Sequence, residues 1–291
     1  MNAVSSRYVG LLYAAPAILF VLAFLVYPLC QLFYTSLTSA SLLGGGEWVG
    51  FRNYVRAWND PQFWTSLLFT LKYTLYITPI LMGLGFLLAL LTAENTRLKK
   101  LTRGVIFLPV VIGLAVSSLL WFWLFSAEYG LINPLLIDLG IIAKPILWLG
   151  VDAETSTWAI IVSVVWKVIG FGMLLFVAAI QAIPQEVNEA AMIDGAGFWQ
   201  RVGRVILPLT LRTVLLVTLI SVIGSLLAFD QFYIMTNGQP YNHTATSVFY
   251  VYLNSFPYLK LGYGAALSLI LAAIILAFTI VQLVLSRRSH G

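Results

Sequence analysis

Apolar residues along this chain fall in six long runs, at roughly 11–37, 64–92, 104–125, 158–181, 209–235 and 262–285, separated by shorter polar stretches. A helix rises about 1.5 Å per residue, so about 20 residues cross the hydrocarbon of a bilayer. Every run is long enough, and the pattern predicts an all-α integral membrane protein with six transmembrane helices. No polar stretch is long enough for a separate domain, so residues 1–291 are expected to form a single transmembrane domain. Pro16 and Pro28 lie inside the first run. Membrane helices tolerate proline where neighbours or local distortion satisfy the freed carbonyls. That run, about 25 residues long, exceeds the 7–15 of a signal peptide and is closed by no small-x-small site, which predicts a retained span. Cys30 is preceded by Leu29, which is not the small residue of a lipoprotein site.

The polar stretches differ in character. Residues 39–63 combine Gly44-Gly45-Gly46 with Trp48, Tyr54 and Trp58, as suits a loop at headgroup level. Residues 93–103 carry Arg97, Lys99, Lys100 and Arg103, whereas residues 126–157 carry Glu128, Asp138, Asp152 and Glu154. Residues 236–261 are rich in tyrosine. The stretch 183–208 is more regular than a loop requires. Pro184 and Pro208 bracket it, and Glu186, Glu189, Asp194, Arg201 and Arg204 punctuate a row of small residues. Proline favours a helix start, and the helix dipole favours carboxylates in the first turns, so a short helix is expected after Pro184. Ala190, Ala191, Gly195, Ala196 and Gly197 keep the element slim, and either Gly195 or Gly197 permits a bend. Beyond it Phe198, Val202 and Val205 fall at i, i+4 and i+7, an apolar stripe suited to an interface. Pro208 marks the turn into the fifth span.

Composition agrees with a bilayer. The chain is 60% hydrophobic and 9% charged, against about 25% charged in soluble domains. Its net charge of +5 follows topology, not nucleic acid. Ten of the Lys and Arg residues lie on one side of the six-span arrangement and four in the loops of the other, while Lys72 and Lys167 lie within spans. The positive-inside rule therefore predicts both termini and the 183–208 stretch in the cytoplasm.

The chemistry of a self-sufficient machine is missing. One cysteine and two histidines, His243 and His290, form no metal cluster. No G-x-x-x-x-G-K-[ST] pattern and no G-x-S-x-G elbow occurs. No catalytic constellation supports an integral-membrane enzyme. Few ionisable groups lie within the spans for proton or ion coupling. A secondary transporter or channel, the alternative reading, would be favoured by paired broken helices, and the apolar runs show none.

Glu189-Ala190-Ala191-Met192-Ile193-Asp194-Gly195, followed by Val205-Ile206-Leu207-Pro208, resembles the cytoplasmic signature of binding-protein-dependent ABC importer permeases. Val205 stands where that signature has isoleucine. Ile183-Pro184 upstream, Phe229-Asp230-Gln231-Phe232, Gly262-Tyr263-Gly264-Ala265-Ala266 and Asn53-Tyr54 with Asp60-Pro61 resemble the carbohydrate-importer branch. Gly238-Gln239-Pro240 departs from the branch's Gly-Gly-Pro. The resemblance covers nearly the whole chain. It implies a bacterial plasma-membrane permease that binds no cofactor of its own. Its partners would be a second permease subunit, two ATPase subunits holding ATP and Mg, and an extracytoplasmic solute-binding protein. It further implies that Glu186, Glu189, Ala190, Ala191, Asp194, Gly195, Ala196, Gly197, Arg201, Leu207 and Pro208 form a coupling helix and its flank against an ATPase.

Sugar sites combine aromatic faces with hydrogen-bonding side chains. Within the spans the candidates for a sugar path are Tyr73, Thr74, Trp121, Trp123, Trp166, Lys167, Ser221, Ser225, Asp230 and Gln231. Any single aromatic among them is more often part of helix packing or of the interface belt. Lys167, about ten residues into the fourth run, needs a partner or a water-filled path.

Overall fold

A computed structural model describes residues 13–288. In chain order the helices are α1 (Tyr13–Ser36), α2 (Arg52–Trp58), α3 (Pro61–Thr92), α4 (Arg97–Val111), α5 (Leu114–Leu124) and α6 (Ile132–Asp138). They continue as α7 (Ala153–Gln181), α8 (Gln185–Ile193), α9 (Phe198–Leu209), α10 (Leu211–Leu226), α11 (Asp230–Met235), α12 (Ser247–Ser255) and α13 (Leu261–Arg288). Among the described residues, extended chain pairs only at an isolated bridge between Thr38 and Trp48. The protein is an all-α membrane fold.

Four helices, α1, α3, α7 and α13, are straight enough, long enough and apolar enough to cross a bilayer, and the count reaches six if each of two bent pairs is one span. The bent pairs correct the expected outline. The third apolar run starts earlier, at Arg97, and bends by 96° between α4 and α5. Residues 97–103, expected in a loop, are helical. The cause is local: Pro109 lies inside α4, and Ile112 and Gly113 adopt extended backbone, with ψ of 136° and 143°. The fifth run is also interrupted. α9 and α10 meet at 73°, and α10 stops at Leu226 before the separate α11. Broken helices, invisible in the apolar pattern, are therefore present.

Prolines reshape two helices in the same way. A π-helical turn at Leu22–Val26 precedes Pro28, and another at Val202–Ile206 precedes Pro208. Proline has no N–H and its ring crowds the carbonyl four residues back. Widening the preceding turn to the π pattern relieves that contact without ending the helix.

The described residues form two compact units, 13–61 with 251–274 and 62–250 with 275–288. In the first, the Asn53 amide donates to the carbonyls of Ser36 and Thr38, both at 2.8 Å. It thereby closes the C-terminal end of α1. The Tyr263 hydroxyl donates to Asp60, and the Arg56 guanidinium lies 4.2 Å from the centre of the Tyr263 ring. Two motif stretches far apart in sequence thus meet.

The larger unit packs around α7. Tyr73, Ile77, Ile160, Phe232 and Met235 are almost wholly buried in one cluster, and Tyr73 meets Phe232 edge-to-face at 4.9 Å. A second cluster holds Ala89, Met173, Phe176 and Val217. Lipid tails are as apolar as these side chains, so close packing and hydrogen bonds, rather than exclusion of water, hold such helices together. Gly170 marks the tightest crossing: a Cβ there would lie 2.5 Å from the Ile106 carbonyl oxygen and 2.8 Å from Phe107 Cα. Only glycine lets α7 approach α4 so closely.

Helix ends and loops are satisfied locally. Asp152 caps α7 by accepting from the Thr155 N–H at 2.7 Å, and that bond holds its carboxyl below the usual carboxylate range. Lys99 donates to the Leu91 carbonyl at the end of α3, and Gln181 donates to Ala93 O at 2.6 Å. Beyond α11, buried hydroxyls serve the backbone: Thr246 donates to Ala228 O at 2.6 Å and Thr244 to Gln239 O at 2.7 Å.

Candidate functional site

Two features have the geometry of functional sites: the polar segment between α7 and α10, and a cavity beside α7. In the first, Pro184 is the N-cap of α8, and Gln185 donates to Glu189 at 2.7 Å across one turn. The helix ends in a Schellman closure. The Gly195 N–H donates to Met192 O at 3.0 Å, and the Ala196 N–H to Ala191 O at 2.9 Å. This closure requires left-handed backbone at Gly195, whose φ is +78°. Gly197 instead has φ −67° and extended ψ, and acts as the N-cap of α9. Its N–H donates to Gln200 Oε1 at 2.9 Å. The bend therefore belongs to Gly195.

Most of this segment faces outward. Glu186, Glu189, Ala190, Asp194, Gly195, Gly197, Leu207 and Pro208 are exposed, while Ala191, Ala196 and Arg201 are partly covered. Ile193 is 86% exposed and Trp199 69%, an unusual display of apolar surface on a charged element. The expected stripe of Phe198, Val202 and Val205 divides. Val202 is buried together with Ile206, Val205 is half-buried, and Phe198 points outward. Val202 and Ile206, at the two ends of the π turn and four residues apart, anchor the segment.

The second feature is a cavity of about 300 Å³ within the larger unit, bounded by α3, α7, α10, α11 and the bend between α4 and α5. Its walls are mostly aliphatic. Four of the sugar-path candidates line it: Tyr73, Ser221, Ser225 and Gln231. The Tyr73 hydroxyl interacts with the Gln231 side chain. Gln231 is only 3% exposed, and its Oε1 has no hydrogen-bond partner among the described residues. An unmet buried acceptor costs about 1–3 kcal/mol, which marks this oxygen as the unsatisfied polar group of a residue in the cavity wall.

The other candidates lie elsewhere. Trp121 and Trp166 pack on each other edge-to-face at 5.7 Å, with the Trp121 Nε1 buried and unpartnered. Trp123 is exposed, Asp230 starts α11, and Thr74 donates to Thr70 O at 2.9 Å. Lys167 donates to Val110 O at 3.1 Å and does not line the cavity. Sequence reasoning missed Val110 and Leu114, which line the cavity on either side of the bend. Pro109 and Gly113, two breakers four residues apart in an apolar run, were the available signal.

Residues 82–291 match the family of binding-protein-dependent transport system inner membrane components. The chain belongs to that family. The match contains both the polar segment and most of the cavity wall. Over 95% of its length this permease is 34% identical to the sulfoquinovosyl glycerol transport system permease protein of Agrobacterium fabrum, covering 90% of that protein. It is 33% identical to the lactose transport system permease protein of Rhizobium radiobacter, over 96% of this chain and 94% of the relative. The fold agrees with a chain of a bacterial alginate ABC transporter, crystallised with an alginate pentasaccharide-bound periplasmic protein. The TM-score is 0.84 at 24% identity, over 97% of this permease and 96% of that chain. The permease is thus a multi-pass membrane protein of a non-catalytic transport family.

Proposed function

We infer that this permease is one subunit of an ATP-driven importer for a carbohydrate or sugar derivative, and that it forms half of the translocation pathway. The relatives named for sulfoquinovosyl glycerol and lactose support the solute class. The cavity suits it chemically: aliphatic walls carry a phenol, two hydroxyls and a carboxamide, groups that pair with sugar hydroxyls. The observation that carries the coupling role is the segment α8–Gly195–α9, which presents exposed Ile193 and Trp199 between capped, stiffened ends. Such a surface fits the groove of an ATPase subunit. ATP and Mg belong to that partner, and this chain supplies no catalysis. A second permease, two ATPase subunits and an extracytoplasmic binding protein complete the assembly.

The purified chain alone should hydrolyse no ATP. Co-expressed with its ATPase and second permease in nanodiscs, it should show ATPase activity stimulated by binding protein loaded with its sugar. That sugar is identified first by thermal shift of the binding protein against a panel of neutral and sulfonated sugars. Uptake by the chain alone, driven by an ion gradient in proteoliposomes, would sink the proposal.

Orientation follows the positive-inside bias, with α8 in the cytoplasm. In a Cys30→Ser background, Ile193→Cys should react with a membrane-impermeant maleimide in inverted vesicles and stay unlabelled in intact spheroplasts. Labelling from outside would reverse the topology.

A further inference from the structure

Lys167 is the one Lys or Arg residue of α7, and its residue is only 9% exposed. Among the described residues no carboxylate pairs with it; the ion pair found is Lys72 with Glu154. Its ammonium donates instead to the carbonyl of Val110, at 3.1 Å. That carbonyl belongs to the last turn of α4, just before the 96° bend. The last four carbonyls of a helix have no partner within it, and in a bilayer no water replaces one. The end of a helix also carries partial negative charge, which a cation complements. Gly170, one turn further along α7, brings α4 close enough for the lysine to reach. Val110 and Leu114 flank the bend and line the cavity, as do Val164 and Val168, which flank Lys167 on α7.

We propose that Lys167 is a positioning residue: its ammonium caps the broken end of α4 and so fixes the cavity wall, and it is not a receptor for an anionic solute. The link to transport rests on the cavity being the pathway; the capping role does not.

The test is hydrogen–deuterium exchange on the assembled transporter, with no solute added, comparing wild type with Lys167→Met and Lys167→Arg. Methionine keeps the length and loses the donor. Exchange in peptides covering 110–117 should quicken by about tenfold, the scale of losing one charge-assisted hydrogen bond. Arginine should restore it to within about twofold of wild type, as expected when one charge-assisted bond replaces another. Wild-type exchange in an assembled Lys167→Met complex would overturn the cap. If Lys167→Met fails to assemble, Lys167→Leu, which also has no donor, is read the same way. Assembly of the arginine variant when both methionine and leucine variants fail supports the cap, and failure of all three overturns it. Uptake adds a second arm. Lys167→Met should lower the maximal rate to the same extent for neutral and anionic sugars the binding protein accepts, whereas a selective loss of anionic ones identifies a solute receptor and overturns the proposal. Faster exchange in Lys167→Met beside normal uptake in cavity-blocking variants would leave the cap standing and remove the pathway reading.

Discussion

Replacing Gly195 with valine should cut uptake by the assembled transporter to below about a tenth of wild type, with the complex still recovered in normal yield. The reason lies in the backbone. At φ +78°, an L-residue costs about 1–2 kcal/mol, and a β-branched side chain more. A Cβ there meets nothing within 4 Å, so the cost lies in the backbone and not in a clash at Cβ. What changes is the closure that carries the Ala196 N–H to Ala191 O and aims Ile193 and Trp199 outward. Gly195→Asn, which tolerates left-handed backbone, should retain at least about half of the activity. Measuring uptake and ATPase rate together separates the possibilities: loss of uptake with ATPase turnover retained marks uncoupling, and loss of both marks failed docking. Valine and asparagine variants with equal uptake would show that the bend is not needed.

A second large effect is expected inside the cavity. Gly224 lines it, and a Cβ at that position has open space within 4 Å. Gly224→Trp should fill much of the 300 Å³ and abolish uptake, leaving membrane insertion and complex recovery intact. Gln231→Leu is the finer probe. Made in a Tyr73→Phe background, so that no buried phenol loses its partner, it removes a buried acceptor that lacks a partner, and the thermal midpoint should hold or rise relative to Tyr73→Phe alone. Uptake should nevertheless fall about tenfold or more, because a hydroxyl of the solute loses its partner. Stability and transport moving in opposite directions is the signature of a ligand-binding polar group. Normal uptake in Gly224→Trp, with the chain inserted, would exclude this cavity from the path.

The two sites differ in how much of them a reader of the sequence can see. The polar segment between α7 and α10 is built from local rules: Pro184 opens a helix, small residues keep it slim, and a glycine must end it. Its choice of glycine is decided by hydrogen bonds that close only when the helix has formed, and those fall at Gly195. The anchoring of α9 through Val202 and Ile206 keeps ordinary i, i+4 spacing; the pattern misplaces Phe198, which faces outward. The cavity is almost wholly non-local. Tyr73, Ser221, Ser225 and Gln231 were visible as polar positions in apolar runs. Nothing in their spacing distinguished them from Trp121, Trp166, Asp230 or Lys167, which lie outside the lining.

By itself the sequence determined the all-α membrane class, the approximate extent of the apolar helices and the position of the polar segment between the fourth and fifth. Hydrocarbon thickness and the need to satisfy every backbone group leave few other solutions for such runs. Only the tertiary structure decided where helices break and which polar residues share a wall. A break inside a bilayer is stable only when a distant group satisfies the freed backbone, as the Lys167 ammonium does by donating to the Val110 carbonyl at 3.1 Å. That partner sits 57 residues away along the chain, and no local pattern connects the two.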